Sequence, residues 1–422
     1  MKLKSSNKKT YIFLAGLILS ATLLFVFKTT LVKKPSKYPV SPKVEKKTEL
    51  DLIQISLNEK QYKKLKKKKN IALSVGTLET SSDDFVAATV TYNGIDYKAE
   101  VRLKGDHLDH LKGDQWSFRV KLKNDKTILG MRKFSLHKPQ TRRYINEWLY
   151  HKAIKKEGLI GLRYDFLEVS IHIKKRNTSN FINKDVGIYA IEESFDKRTI
   201  ENNQRKESVI LKFSENYYWS EWKKAHQIEV PYSKRRDLIN HDYDFAKVSP
   251  INVYSEEKVL KDETLFNYFK LGKNLLEDVR RRKITLDEAF DVKELAMQNA
   301  ILNLFGAKHG IAFINLRFYY NPITSKLEPI AFDGNAGVKI KEYSHFRYIN
   351  RVTDSIYLKE LSIALQKVSK PEYLKNLFDN NQKELEFLNK TLKKEFKTEL
   401  ISRSSMKANQ TILQNEIKKL KK

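Results

Sequence analysis

The residues best suited to chemistry lie at the base of a predicted hairpin, where Asn315 opens one strand and Asp333 follows the other. Folding the two strands about the middle of Pro322–Lys326 brings Asn315 opposite Asp333 to within about one residue of register. Amide and carboxylate oxygens are donors that a hard cation such as Mg²⁺ accepts. The hairpin therefore predicts a metal or nucleotide site, although Asp333-Gly334 is also an ordinary turn dipeptide.

The hairpin itself is predicted from alternation and turn chemistry. Apolar and polar residues alternate from Ile314 to Tyr320, a pattern typical of a half-buried strand. Asn321-Pro322 predicts the turn, and Leu327–Phe332 predicts the returning strand. His309 lies just upstream, where it could act as a general base near neutral pH or interact with a helix C-terminus.

Three cations lie on or beside two predicted strands in the first half of the chain. Lys104 follows one strand and begins the polar loop Lys104–His110, while Arg119 and Lys121 share one face of the next strand. Such a group suits binding of phosphate oxygens. The alternative is an exposed basic strand.

Three glutamates are further candidates. Glu147 lies within a predicted helix, where it could hold a cation in position or pair with His151 at i,i+4. Glu192 and Glu193 end a predicted strand, where they could accept hydrogen bonds in a crevice or simply be solvated.

Composition indicates a globular protein with an anionic partner. The chain has 422 residues, 41% hydrophobic, which excludes general disorder. Lys and Arg total 81 against 51 Asp and Glu, a net charge of +30 that favours polyanions such as nucleic acid, anionic lipid, acidic polysaccharide or nucleotide phosphates. Because lysines are spread over the whole sequence, compositional drift is the alternative explanation.

Several functional classes are excluded by what the sequence lacks. It contains no cysteine, which excludes disulfides, Cys-ligated zinc, iron–sulfur clusters and thiol catalysis. It has no Walker sequence, no glycine-rich dinucleotide motif, no zincin motif and no nucleophile elbow. Nucleic-acid-binding modules are also missing, so no nucleic-acid partner is expected.

The N-terminus predicts attachment to a membrane. Tyr11–Phe27 is an uncharged apolar run of seventeen residues preceded by four lysines. A secretory signal or a signal anchor fits this pattern, and the anchor is favoured because no small-x-small cleavage site follows Ser20-Ala21. We therefore expect a single-pass membrane protein with most of the chain extracytoplasmic.

The order of the predicted elements indicates an α+β enzyme with two lobes. Strands dominate up to about residue 215, and helices dominate afterwards around the hairpin. The predicted divisions are a tail and signal anchor (1–27), a Pro/Lys linker (28–48), a β-rich N-lobe (49–215), a helical C-lobe (216–353) and C-terminal helices (354–422).

Five sequence blocks, read in order, resemble the CotH-type spore-coat kinase family, atypical secreted relatives of the protein-kinase fold. The resemblance runs from about Leu50 to about Tyr343. The blocks are Val101–Asp106, Trp116–Lys121, Arg142–Gly158, Gly187–Glu193, and Asn315–Tyr320 continuing to Phe332-Asp333-Gly334.

The resemblance implies a bilobal kinase-like fold that transfers phosphate from ATP with Mg²⁺ or Mn²⁺. Asp333 and Asn315 match the family's metal-binding aspartate and catalytic-loop asparagine. Glu147 matches a helix glutamate that orients a phosphate-binding cation. Asn335 stands where many members have a second aspartate, and the acidic base expected before Asn315 is missing.

Two functions are compatible with these departures. The first is a membrane-anchored kinase that phosphorylates an envelope protein or glycan, with His309 in place of the missing base. The second is a catalytically inactive envelope protein that binds an anionic polysaccharide or scaffolds assembly.

Overall fold

The computed structural model describes residues 49–176, 180–239, 242–346 and 354–420, and Thr48–Lys422 forms one compact unit. Twelve strands are named within these ranges. They are β1 (Leu52–Asn58), β2 (Val86–Tyr92), β3 (Ile95–Leu103), β4 (Phe118–Leu122), β5 (Lys133–His137), β6 (Ile160–Gly161), β7 (Tyr164–Lys174), β8 (Phe181–Glu193), β9 (Ile210–Phe213), β10 (Ile251–Val253), β11 (Arg317–Asn321) and β12 (Lys326–Ala331).

The helices of the described ranges lie mainly in the second half of the chain. They are α1 (Glu59–Val75), α2 (Ile145–Lys156), α3 (Lys197–Asn202), α4 (Asn216–Gln227), α5 (Tyr232–Ile239), α6 (Asp242–Val248), α7 (Glu256–Lys261), α8 (Glu263–Arg280), α9 (Leu286–Ala289), α10 (Val292–Leu304), α11 (Ser355–Val368), α12 (Pro371–Asn380), α13 (Gln382–Leu392) and α14 (Arg403–Leu420). Short 3₁₀ turns at Pro139–Arg142, Lys308–Ile311 and Phe313–Asn315 carry residues of the site.

Seven strands close into a barrel in the order β1-β2-β3-β4-β5-β8-β7. All neighbours are antiparallel except β1 and β7, whose parallel pairing closes the barrel from Leu52 opposite Glu168 onwards. Inward-facing Ile, Leu, Val and Phe side chains of these strands form one buried cluster, which Leu65 and Ala72 of α1 complete. Alternation of buried and exposed residues along the strands gives the barrel its apolar interior.

A second sheet has the strand order β10-β9-β11-β12-β6. The predicted hairpin is its β11–β12 pair, with Asn321 opposite Lys326. Asn321 organises the turn, because its Oδ1 accepts a hydrogen bond from the backbone N–H of Ile323 at 2.9 Å. Helix α10 is buried along most of its length beside this sheet, in the largest apolar core of the protein.

The expected bilobal kinase-like fold, with a β-rich N-lobe and a helical C-lobe, is wrong. The strands of the first half form a closed barrel, and the second sheet takes β6 and β9 from the first half and β10, β11 and β12 from the second. Local sequence patterns indicate which segments are extended, whereas the pairing partner can lie more than a hundred residues away. The predicted domain boundaries stay predictions.

Within the described ranges, no helix combines the length and apolar character needed to cross a membrane. The predicted signal anchor and the linker, residues 1–48, lie outside those ranges.

Candidate functional site

A cleft of about 620 Å³ opens between the barrel and the second sheet. The ends of β3 and β4 contribute one wall, and β9, β10 and the start of β11 contribute the other. Seven Lys and Arg side chains line it against four Asp and Glu side chains, an excess of three positive charges with His neutral. The cations are Arg102, Lys104, Arg119, Arg142, Lys212, Lys223 and Arg317, and the acids are Glu79, Asp106, Glu215 and Asp333.

Asp333 lies at the base of the cleft, just after β12, and both of its carboxylate oxygens are engaged. Oδ2 accepts a hydrogen bond from Arg142 Nη2 at 2.7 Å, and Oδ1 lies 2.8 Å from His309 Nδ1. Burial alone would raise the pKa of Asp333, but the adjacent Arg142 and His309 outweigh it and hold that pKa well below its ordinary value. Asp333 is therefore ionised across the physiological pH range.

Asn315 and His309 fix each other beside Asp333. Asn315 Nδ2 donates to the backbone carbonyl of His309 at 2.9 Å. Since an ionised carboxylate only accepts, we assign the proton of His309 to Nδ1, which donates to Asp333. In the neutral ring, Nε2 is then the nitrogen that can accept a proton, and the His309 side chain lines the cleft.

Glu147 positions the backbone that follows Asp333. This fully buried carboxylate of α2 accepts hydrogen bonds from the N–H groups of Gly334 at 2.8 Å and Ala336 at 3.1 Å. Burial first, and then the nearby Asp333, raise the pKa of Glu147 to about 7. Helix α2 thereby sets the direction in which the chain leaves β12, and with it the position of Asp333.

Lys104 and Glu192 form a buried ion pair behind the cleft. Lys104 Nζ lies 3.1 Å from Glu192 Oε2, and the two side chains are 9% and 1% exposed. Burial lowers the pKa of Lys104, an effect that Glu192 opposes and that Arg142 and Arg119 reinforce. Burial would raise the pKa of Glu192, but Lys104, His137 and Arg142 lower it overall. The two groups therefore form a buried pair in which each depends on the other.

Arg119 is aligned with a second arginine across neighbouring strands. It lies directly opposite Arg102 in the β3–β4 register, an arrangement that places two like charges side by side. Burial and the neighbouring Arg119 lower the pKa of Arg102 to about 10. Arg119 donates to Ser194 Oγ through Nη1, but its Nε is buried without a hydrogen-bond partner among the described residues. This pair is suited to an anion in the cleft.

Two of the predicted site residues lie elsewhere. Lys121 lies two residues after Arg119 on the same face of β4. Its Nζ lies 3.6 Å from Glu100 Oε2, and its side chain does not line the cleft. Glu193 binds the guanidinium and backbone N–H of Arg163 on the other side of β8. The structure thus brings together seven predicted residues, Lys104, Arg119, Glu147, Glu192, His309, Asn315 and Asp333, and leaves Lys121 and Glu193 outside the group.

Sequence reasoning missed Arg142, the cation closest to Asp333 in the described structure. It ends the 3₁₀ turn Pro139–Arg142 before α2, and its 191-residue separation from Asp333 leaves no local sequence signal. Arg102, Lys212, Glu215 and Asp106 were also missed as lining residues. For Asp106 a signal exists, because the polar loop after β3 places acidic and histidine residues next to Lys104.

A resident divalent cation does not fit this donor set. Arg142 and His309 already engage the two oxygens of Asp333, and the amide nitrogen of Asn315 faces the His309 carbonyl. In the described part of the chain, no group of three or more His, Asp or Glu side chains is arranged to hold a metal ion. A cation bound between Asp333 and Asn315 would have to displace Arg142 or His309.

Comparison with models of protein families and with curated proteins finds no match. The resemblance to the CotH-type family therefore stays a prediction.

Proposed function

We propose that the protein is a phosphotransferase that binds ATP in this cleft and transfers its terminal phosphoryl group to a cell-envelope protein or glycan. The observation that carries the proposal is the cluster of buried Lys104 and Arg142 and partly buried Arg119 beside Asp333 and His309. Phosphoryl transfer depends mainly on positioning and on neutralising charge over the transferred oxygens. Fixed cations in a partly enclosed cleft provide both.

The position of each lining residue supports a particular role in binding ATP. Arg119 and Arg102 project from neighbouring strands and are positioned to bind phosphate oxygens, since guanidinium groups donate two parallel hydrogen bonds to such oxygens. Lys104 adds a charge that Glu192 holds in place. Tyr254, Phe195 and Phe332 line the same cleft and offer apolar surface to a nucleotide base. Mg²⁺ enters the proposal only as the cation that accompanies ATP in solution.

The acceptor and the location are part of the same proposal. The apolar run Tyr11–Phe27 supports a single membrane anchor, with the cleft on the extracytoplasmic side. The positive net charge supports an acidic acceptor, such as an anionic envelope protein or glycan.

A second candidate is a non-catalytic envelope protein that binds an anionic polysaccharide. The specific observation in its favour is Asp333, whose oxygens are both held by Arg142 and His309. A carboxylate held in this way serves a static anion-binding site as well as a reaction centre. Under this function the cleft would bind acidic sugars and leave ATP unchanged.

Thermal and urea unfolding of the full-length protein test the proposal. We expect ATP with Mg²⁺ to stabilise the protein by about 2.7 kcal/mol at 100 times its Kd. Arg119→Met should weaken this effect by about tenfold in ATP concentration, because it removes one charged partner of the phosphates.

Lys121→Met is the matched control, since Lys121 lies two residues further along the same strand face but outside the cleft. Absence of stabilisation by ATP in the wild type, or an equal loss in both variants, would contradict the proposal. Salt-sensitive stabilisation by polygalacturonate without any effect of ATP would favour the second candidate.

A further inference from the structure

Asp106 is the least constrained acid of the cleft. Each of the other three lining acids has a cationic partner: Lys223 lies 2.6 Å from Glu79, Arg317 lies 3.1 Å from Glu215, and Arg142 holds Asp333. Among the described residues, the carboxylate of Asp106 has no hydrogen bond or ion pair, and its side chain is exposed to the cleft. Its oxygens are thus the ones open to a ligand.

The backbone of Asp106 is nevertheless held firmly. Its carbonyl accepts hydrogen bonds from Leu78 N–H at 3.0 Å and from Thr77 Oγ1 at 2.8 Å. Gly105 before it has a φ of +98°, and a Cβ there would lie 2.1 Å from the His110 ring. These contacts fix the backbone of Asp106, while its carboxylate is exposed to the cleft.

The charges that act on Asp106 come from several elements of the cleft. Lys104 and Arg102 belong to the β3 end, Arg119 to β4 and Lys212 to β9, while Glu215 precedes α4. Burial by the surrounding protein raises the pKa of Asp106 to about 6, even though part of its side chain is exposed. The negative charge of Glu215 adds to this rise, and the nearby cations oppose it. A carboxylate tuned in this way suits proton transfer near neutral pH.

We propose that Asp106 is the catalytic base of the reaction, taking the place of the acid that is absent before Asn315. The inference rests on the proposed phosphotransferase function. The acceptor is a hydroxyl group of a protein or glycan, and the donor is a nucleoside triphosphate.

Three groups take part in the step: the acceptor hydroxyl, the nucleoside triphosphate and Asp106. The acceptor O–H bond breaks and its proton moves to a carboxylate oxygen of Asp106. The acceptor oxygen forms a bond to the terminal phosphorus, and the bond from that phosphorus to the bridging oxygen breaks. The nucleoside diphosphate leaves with the electron pair, and Asp106 returns its proton to solvent. The Nδ1 of His309 is committed to Asp333, which leaves only its Nε2 for such a role, whereas the carboxylate of Asp106 is exposed to the cleft.

Variants of the full-length protein test the assignment through label transfer from ATP and through stabilisation by ATP. Asp106→Asn should reduce the transfer rate by about 100-fold or more, the usual contribution of a general base, while stabilisation by ATP persists. In the wild type the rate should rise with pH through about 6, and this rise should disappear in the variant. Asp106→Glu should restore part of the rate, and Asp114→Asn, an exposed acid outside the cleft, should match the wild type.

The possible results distinguish failure of the role of Asp106 from failure of the phosphotransferase function. A transfer rate in Asp106→Asn equal to that of the wild type overturns the role of Asp106 and leaves the phosphotransferase intact. Loss of ATP stabilisation in Asp106→Asn also overturns it, since Asp106 would then position the nucleotide. No transfer by the wild type overturns the function, and the catalytic base falls with it.

Discussion

At the residue scale, the site is a set of buried charges that restrain one another. Asp333 is held between Arg142 and His309, and Glu147 fixes the backbone on its C-terminal side. Since unpaired buried charges are unfavourable, each member is stable only while its partners remain. Under the proposed function, the same restraint preorganises the cleft for phosphate groups.

Glu147 should give the protein a measurable pH dependence of stability. Its folded-state pKa of about 7 exceeds its ordinary value of 4.5, so the folded state binds the proton more tightly. That stabilisation is complete below pH 4.5 and is lost as pH rises through 7, a change of roughly 3 kcal/mol. Urea unfolding from pH 4 to 8 should show that Glu147→Gln lacks this decrease.

Because glutamine is the uncharged counterpart of protonated Glu147, the variant should match the wild type most closely below pH 4.5 and be the more stable of the two toward pH 8. Glu372→Gln, at an exposed position of α12, is the control and should follow the wild-type curve. A difference for Glu147→Gln that stays constant over the whole range would show that Glu147 does not titrate as described.

The Lys104–Glu192 pair should behave as one unit. Lys104→Met leaves Glu192 charged and buried, which we expect to lower the free energy of unfolding by about 3–5 kcal/mol. Replacing both residues, Lys104→Met with Glu192→Leu, removes the uncompensated charge. In a double-mutant cycle from urea unfolding, the double variant should lose less than the sum of the single losses. Additive losses would mean that the two charges are independent.

At the scale of elements, a tight backbone crossing supports the segment that carries Asp333. Gly306, two residues beyond α10, has a φ of +58°, and a Cβ there would lie 1.8 Å from the carbonyl oxygen of Val338. The neighbouring bond from Gly337 N–H to the Phe305 carbonyl, at 2.7 Å, joins the same two stretches. The end of α10 and the chain after β12 are thus in direct backbone contact.

Gly306→Ala should consequently destabilise the protein far more than Gly94→Ala. Gly94 also has a positive φ, +73°, but open space surrounds its missing Cβ, so alanine there costs about 1–2 kcal/mol of backbone strain alone. At Gly306 the added clash with backbone must be relieved by moving the segment after Asp333. Comparing the two free energies of unfolding in urea measures this, and equal losses would contradict the crossing described.

Elements were predictable where their signals are local. The β2–β3 hairpin, Val86–Tyr92 and Ile95–Leu103, carries such a signal, because Asn93-Gly94 between two extended runs marks a two-residue turn in which both residues have positive φ. The β11–β12 register likewise brought Asn315 near Asp333, where both meet His309. Asn315 itself belongs to a 3₁₀ turn before the strand.

At the scale of the whole molecule, the fold depends on pairings between segments that are far apart in the sequence. Closure of the barrel depends on β1 pairing with β7 across more than a hundred residues, and the second sheet joins β6 to β12 from opposite halves of the chain. Arg142 meets Asp333 only because this architecture brings the two together. The order of the predicted elements gave the expected two-lobed layout, and the resemblance gave its kinase-like character. Alternation and helical periodicity define elements without defining their partners.

Part of the positive charge of the chain lies in the cleft. The net charge of +30 was compatible with a diffuse excess of lysine, but seven cations line one cleft, four of them Arg102, Lys104, Arg119 and Arg142 from the barrel strands and the turn before α2. Such a concentration raises the local potential and attracts multivalent anions. Binding at this cleft should therefore favour triphosphates over nucleosides.

The most direct test of the central claim is transfer of label from γ-³²P-ATP with Mg²⁺ by the full-length protein to envelope proteins and glycans, with Asp333→Asn measured beside it. We predict covalent labelling of an acceptor by the wild type, a loss of about 100-fold or more in Asp333→Asn because the charges that position the phosphates are disturbed, and no change in Asp114→Asn. Labelling that is absent from the wild type, or that persists undiminished in Asp333→Asn, would contradict a phosphotransferase site at this cleft.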